Sequence, residues 1–254
     1  MDWNAENYQA VCGRVTEHGA QLADILQGLR PRRVLDVGCG TGVLTNHIAG
    51  FAAEVIGIDA SAAMIEKAKN LYPGLDFRQM DACALPWTGS FDAVFSNAVF
   101  HFIPNQADLL QRIHQALADD GFLLAEFGAK GNIARLLDAV ARVCAARGKL
   151  YVLRFYYPAQ EEYQALLEAQ GFAVESIETF DRDTTLAGGA SGLRDWVKQV
   201  FSVEMAWFSA PEREAVLDEL ESTLRAAQWD GESWHLPNKR LRALARKKKR
   251  RDDT

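Results

Sequence analysis

The sequence predicts an α/β fold: a doubly wound, mostly parallel central sheet with a helical insertion before the last strand. Three observations lead there. Strand-like apolar runs alternate with helical patterns, those runs are near-continuously apolar, and 254 residues can bury the core of one elaborated domain, or of two. Alternation of strand and helix makes successive strands parallel. Strands apolar on both faces need helices over both.

Each element follows in order. "RRVLDVG" is the first strand, followed by a helix near 43–50; "AEVIGID" is the second, followed by a helix over 61–71. "LDFRQMD" and "FDAVFSN" are the third and fourth strands, "QADLLQRIHQAL" is a helix, and "GFLLAEFG" is the fifth strand. Beyond Gly128 the pattern loosens into a helix over 131–147, the aromatic-rich "LYVLRFYYP", a helix "AQEEYQALLEAQ" and a strand "FAVESIETFD". Two helical segments, "GLRDWVKQVFSVEMAWF" and "PEREAVLDELESTLRAAQW", then precede a last strand, "KRLRALAR", so residues 192–228 read as an insertion.

Charge and composition narrow the function. The net charge is −6, but residues 246–254 hold six basic and two acidic side chains, and the other 22 basic and 32 acidic residues leave the body at −10. A body so acidic repels a phosphate backbone, so no nucleic-acid partner is expected. The 246–254 run reads as a solvated basic tail. "MDWNAENYQA" lacks the layout of a signal peptide and no apolar run is long enough for a membrane span, which predicts a cytoplasmic protein with no membrane partner. Four cysteines without a C-x-x-C pair read as reduced thiols. Oligomeric state is not set by the sequence, with a monomer favoured.

The candidate site is the turn after the first strand. Gly38, Gly40 and Gly42 let the backbone turn sharply and approach a ligand at a helix N-terminus. Their spacing is G-x-G-x-G and not the dinucleotide G-x-G-x-x-G. Asp36, two residues before, would repel a pyrophosphate, which argues against a nicotinamide-dependent oxidoreductase and favours a cationic ligand such as S-adenosylmethionine. Asp59 ends the second strand where a carboxylate accepts from ribose hydroxyls. Asp81, after the third strand, can accept from an adenine amino group, with Met64 either packed on the ring or in the core. Each Asp also suits a turn or cap.

"VLDVGCGTG", "VIGIDAS", "MDACALP", "FDAVFSNAVFHF" and "LADDGFLLAEFG" resemble the successive motifs of class I S-adenosylmethionine-dependent methyltransferases over roughly residues 30–128. "WNAENY", "SNAVFHF", "AEFGAKGNI", "FDRDTTL" and "GLRDW" make the chain similar to the bacterial branch that includes trans-aconitate methyltransferases. The resemblance implies a Rossmann-like methyltransferase domain over 1–254: an N-terminal helical lid (1–29), a cofactor-binding core (30–128), a helical cap (192–228) and the tail (246–254). It implies S-adenosyl-L-methionine as cofactor and S-adenosyl-L-homocysteine as product. Asp36, Gly38 and Gly42 would line the methionine part, Asp59 would hold the ribose, Asp81 and Ala82 would meet the adenine, and Asn97 would contribute backbone near the sulfonium, with Cys39, Gly40, Ala60 and Met64 also among the cofactor-binding residues. Phe100 and His101 would face the transferred methyl, with Trp3 and Tyr8 folded over the cofactor or set in the core.

Methyl transfer from a sulfonium is an in-line displacement from an activated donor, so alignment and exclusion of water are the main tasks and no metal is expected. His101, the candidate catalytic residue, is open between a general base, a hydrogen-bond donor to a carboxylate, and a structural residue. The expected partner is a small-molecule acceptor, most simply a carboxylic acid methylated on oxygen; a hydroxyl or amine acceptor, or a silent cofactor-binding sensor, are the alternatives. Arg154 and Arg194 offer forks for a carboxylate, with Tyr156, Tyr157, Trp196 and Trp207 walling off water, although Arg194 equally suits an ion pair on a helix face.

Overall fold

Seven strands form one sheet in the computed structural model, whose described residues run from 18 to 248. In chain order the strands are β1 (Arg33–Val37), β2 (Glu54–Asp59), β3 (Asp76–Gln79), β4 (Phe91–Asn97), β5 (Leu117–Gly128), β6 (Phe172–Thr185) and β7 (His235–Lys247). The helices are α1 (18–29), α2 (Val43–Ala49), α3 (Ala62–Leu71), α4 (Gln106–Ala116), α5 (Ala134–Ala146), α6 (Gln160–Ala169), α7 (Gly192–Val200), α8 (Ser202–Met205) and α9 (Ala210–Gln228). Among the described residues no helix is long and apolar enough to cross a membrane.

The chain divides into two units, of which the core unit holds described residues 18–130, 155–180 and 240–248. Its strand order is β3-β2-β1-β4-β5-β7-β6, with β1 to β5 parallel and β7 antiparallel to β5. The order reverses between β1 and β4, and the crevice for a ligand in such sheets opens there, at the carboxyl ends of the strands. Alternate residues of each strand enter opposite cores: Leu35, Ile56, Val94 and Leu123 pack with α4 and α6, while Val34, Val55, Phe95 and Leu124 pack with Leu22 and Leu26 of α1. Each such side chain contributes roughly 1.5–3 kcal/mol of hydrophobic stabilisation. This two-sided burial is why the strand sequences are apolar throughout.

The second unit holds described residues 131–154 and 181–239. Helix α5 pairs with α9 there, and Arg147 reaches Glu219 at 2.8 Å. Helix α9 starts on Ser209, whose N–H and hydroxyl both donate to Glu212 at the third helical position, with Pro211 in the first turn. The helix expected over 192–208 is broken. Phe201, buried and non-helical, separates α7 from α8 because its ring is taken into the interior beside Tyr151 and Trp196.

Strand β7 is longer than the apolar run predicts. Arg246 and Lys247, expected to open the solvated tail, instead close it: Arg246 pairs with Glu175 at 2.6 Å, and Lys247 donates to the Leu117 carbonyl at 2.7 Å. Residues 249–254 lie outside the described residues. The docking of β7 on β5 rests on a buried charge, Glu126, which is fully buried and sits opposite Arg242 in the register. Arg242 donates to it through Nε (3.0 Å) and Nη2 (2.7 Å), and Arg240 stands with its Nε 3.5 Å from the other oxygen. Arg242→Ala removes both of its hydrogen bonds to this buried carboxylate. The expected loss by chemical denaturation is about 2–3 kcal/mol, below the roughly 3–5 kcal/mol of a pair broken outright; a loss under about 0.5 kcal/mol refutes the assignment.

Candidate active site

The turn between β1 and α2 is built from three glycines with left-handed backbones, Gly38 (φ 76), Gly40 (φ 54) and Gly42 (φ 82). A Cβ on Gly38 would lie 2.2 Å from Val99 Cγ2, and one on Gly42 would lie 2.6 Å from the Phe77 ring. The loop is thus pressed against its neighbours. At Gly40 a Cβ would meet open space, the side on which a ligand can approach. The N–H groups of Gly38 and Cys39 both donate to the Ile58 carbonyl, tying the loop to β2. Cys39 is buried and its thiol is pushed well up, chiefly by that burial, so it packs and does not react.

Asp36, the penultimate residue of β1, is buried and accepts a 2.6 Å hydrogen bond from the Thr45 hydroxyl of α2. Burial pushes its carboxyl up to about 7; the Thr45 bond opposes this and the charge of Asp59 adds to it. Such a group gains most from a cation placed beside it. Asp59 accepts from the Gly40 N–H (3.0 Å) and the Ser61 N–H (2.8 Å), one on each oxygen, so each retains a lone pair for a further donor. Burial raises it too. Ala60 is exposed beside it, and its carbonyl accepts from the Gln79 side chain. Asp81 is exposed and caps the 3-10 turn Ala82–Ala84 through the Cys83 N–H at 2.8 Å, so cap and ligand roles need different oxygens. Met64, 2% exposed, sits as a core residue. Acidic strand ends, an open glycine face and a buried carboxyl near neutrality fit a cationic nucleoside cofactor.

At the end of β4, Asn97 is followed by Ala98 in a left-handed conformation (φ 62), whose N–H donates to the Glu126 carbonyl at 2.7 Å. Strain of this kind in a residue with a Cβ gathers at functional sites. Alanine carries no sequence signal for it. The turn feeds a 3-10 segment, Phe100–Phe102, pinned by the Gln106 side chain donating to the Phe100 and Ile103 carbonyls. Phe100, expected to face the transferred methyl, is instead fully buried, its ring 5.6 Å from that of Phe127, because the 3-10 turn rotates it into the core.

His101 is 7% exposed, and its Nδ1 accepts from the Gly128 N–H at 3.3 Å. Burial, with the charge of Arg240 adding, holds the imidazole well below its usual range, so the ring is neutral. A neutral ring that accepts through Nδ1 carries its proton on Nε2. His101 is therefore an N–H donor at this position, not a free base. Tyr157 and Phe155 flank it with ring centroids 5.7 and 6.5 Å away, and the Tyr156 N–H donates to its carbonyl.

Neither expected carboxylate fork is arranged for a ligand. Arg194 donates to Glu214 (2.9 Å), Glu221 (3.0 Å) and Asp218, all on α9, so it is consumed by a helix-to-helix ion cluster. Arg154 donates to Glu204, which is buried, at 2.8 and 3.3 Å and to the Val200 carbonyl. Trp196 is half-buried against Phe201 within the second unit. Trp3 and Tyr8 lie outside the described residues. Sequence reasoning missed Arg240, whose charge reaches His101, and the buried Glu126 it approaches; in "KRLRALAR" the arginines at 240 and 242 stand two apart, hence on one strand face, and that spacing was the available signal.

Comparison with known proteins agrees with this geometry. A family profile described as a methyltransferase domain matches residues 35–125. The chain is 30% identical to an uncharacterised methyltransferase of Schizosaccharomyces pombe, over 96% of this chain and 98% of that one. It is 34% identical to a trans-aconitate 2-methyltransferase of Deinococcus radiodurans, over 78% of this chain and 80% of that one. Among solved structures, the YcgJ protein of Bacillus subtilis shares the fold at a TM-score of 0.64 and 17% identity, covering 91% of this chain and all of that one.

The Asp36 carboxyl has a pH signature. Raised from 3.8 to about 7, it favours the folded state fully below the lower value, and that contribution is lost as pH rises through the upper one. Asp36→Asn keeps the acceptor for Thr45 but not the titration. In ligand-free protein the variant should gain stability on wild type by up to about 1.4 kcal/mol per pH unit between pH 4 and 7; parallel melting-temperature profiles contradict this.

Proposed function

This chain belongs to the class I S-adenosylmethionine-dependent methyltransferases, and from that premise we propose that its acceptor is a small carboxylic acid methylated on oxygen. S-adenosylmethionine is the cofactor, and when bound it supplies a methyl group already activated as a sulfonium. In the proposed arrangement Asp36, Gly38, Cys39, Gly40 and Gly42 hold its methionine part, Asp59 and Ala60 the ribose, Asp81 and Ala82 the adenine, and the Asn97 backbone lies near the sulfur. The observation that carries the acceptor assignment is the state of His101: buried, neutral, its Nδ1 taken by Gly128.

A hydroxyl or ammonium acceptor must lose a proton, and this imidazole has its basic nitrogen engaged. A carboxylate is ionised at neutral pH and needs only orientation and desolvation. Here the chain's own residues do that work: the Nε2–H of His101 donates to the acceptor, and the rings of Phe155 and Tyr157 keep water from it. Relatives named for trans-aconitate support the same substrate class, and trans-aconitate is the first compound to test.

With labelled donor and a panel of di- and tricarboxylates, phenols and amines, the product should release labelled methanol in mild alkali, as an ester does. A base-stable product from a phenol or amine overturns the acid reading. His101→Ala should raise KM for the acceptor while kcat falls by less than about tenfold, against the roughly 10²–10⁴ of a lost general base. Asp59→Ala removes the proposed acceptor for two ribose hydroxyls and should weaken cofactor binding by about 1.5–3 kcal/mol in calorimetry; wild-type affinity sinks that assignment.

A further inference from the structure

The turn that carries His101 is strapped by one buried amide, the side chain of Gln106. We propose that Gln106 is a positioning residue for methyl transfer: its strap holds the turn so that Nδ1 of His101 stays on Gly128 and the Nε2–H stays directed at the acceptor. The inference rests on the carboxylic-acid reading, in which that N–H orients the acceptor, and assigns the residue that keeps it in place.

Gln106 is the first residue of α4 and is buried. Its side-chain nitrogen lies 2.7 Å from the Phe100 carbonyl and 2.6 Å from the Ile103 carbonyl. Two carbonyls at those distances require the amide nitrogen at this position, and each takes one of its two protons. The two carbonyls bracket His101 and Phe102, so the side chain spans the turn. Helix α4 holds the strap from behind. Asn105 caps that helix by accepting from the Asp108 N–H at 3.2 Å, and the Cys83 thiol donates to the Asn105 carbonyl at 3.7 Å.

Stability alone does not call for this amide. The Gln106 Oε1 is buried with no hydrogen-bond partner, a desolvation cost of the same order as the gain from the two donated bonds. The Phe100 carbonyl already accepts from the Ile103 N–H at 3.0 Å. What the strap adds is direction. Of the hydrogen bonds that His101 accepts, that from the Tyr156 N–H fixes only the backbone carbonyl, and that from the Gly128 N–H reaches Nδ1 at 3.3 Å, near the long limit for such a bond. A small shift of the turn breaks it. Nδ1 is then open to the proton, and the Nε2–H tautomer is no longer imposed.

The test separates positioning from support. In protein loaded with S-adenosylhomocysteine, the imidazole nitrogen NMR shifts of His101, identified by their loss in His101→Ala, should report the Nε2–H tautomer in wild type. Gln106→Met keeps the length and removes the donors, and should show a mixture of the two tautomers. In turnover with S-adenosylmethionine and the acid that the acceptor panel identifies, Gln106→Met should raise the acceptor KM about tenfold, with S-adenosylhomocysteine affinity within about twofold of wild type. In the His101→Ala background the same substitution should change KM by less than about twofold, because the strap then has no ring to direct. A residue that merely supports the fold would add its full effect there. Gln106→Glu keeps the shape with at most one donor and should also raise KM, which decides the matter if the Met variant does not fold. A wild-type His101 spectrum, a wild-type KM in a folded variant, or additive effects in the double variant overturn the proposal, whatever happens to the melting temperature. A wild-type enzyme that methylates an amine or phenol and no acid overturns the acid reading; the His101 spectra, recorded without acceptor, decide Gln106 separately.

Discussion

The backbone turn after β1 is the constraint on which the core unit depends. Its glycine at 38 is wedged against Val99 in the turn after β4, and its glycine at 42 against Phe77 of β3, so two further strands close on one loop that has no room for a side chain at either glycine. Everything that defines the crevice is referenced to that loop. The Gly40 N–H holds Asp59 at the tip of β2, the Thr45 hydroxyl holds Asp36 at the tip of β1, and Val99 begins the turn that delivers His101. A ligand meets a surface whose positions were settled by folding, which lowers the ordering cost of binding.

Buried carboxylates are handled alike in both units. Glu126 and Glu204 are each essentially inaccessible, and each is held by two nitrogens of one arginine, Arg242 in the core unit and Arg154 in the second. Such pairs add less net stability than apolar residues of similar volume would, but they penalise any register that separates the partners. In β7 this matters because Leu241, Ala243 and Ala245 face the core, and a slip by one residue would turn them outward.

Much of this was legible in the sequence, and for a physical reason. Strands β1 to β5 are covered on both faces, so their apolar runs stand out, and the glycine and aspartate positions at their ends follow from backbone geometry and ligand charge. Less legible was where a charged side chain spends its bonds. Arg194 looks like a substrate fork in isolation, yet Glu214, Asp218 and Glu221 recur at helical spacing and form an acidic stripe that claims it. Phe100 and the break at Phe201 depend on short turns with no periodicity to announce them. The outer halves of β6 and β7, with sequences such as "RDTT" and "HLPN", pair without a continuous apolar run and so read as loop.

The carboxyl of Asp36 gives the protein a proton to exchange. Burial holds it up at about 7; with the cationic donor beside it, in the proposed arrangement, it would ionise more fully, and uptake of the donor would expel part of a proton into solvent. The product of transfer has lost the sulfonium charge and so would favour the ionised carboxyl less than the donor does. In that proposed arrangement donor and product would be distinguished through the acidity of one buried side chain, and the balance between them on the enzyme would shift with the pH around it.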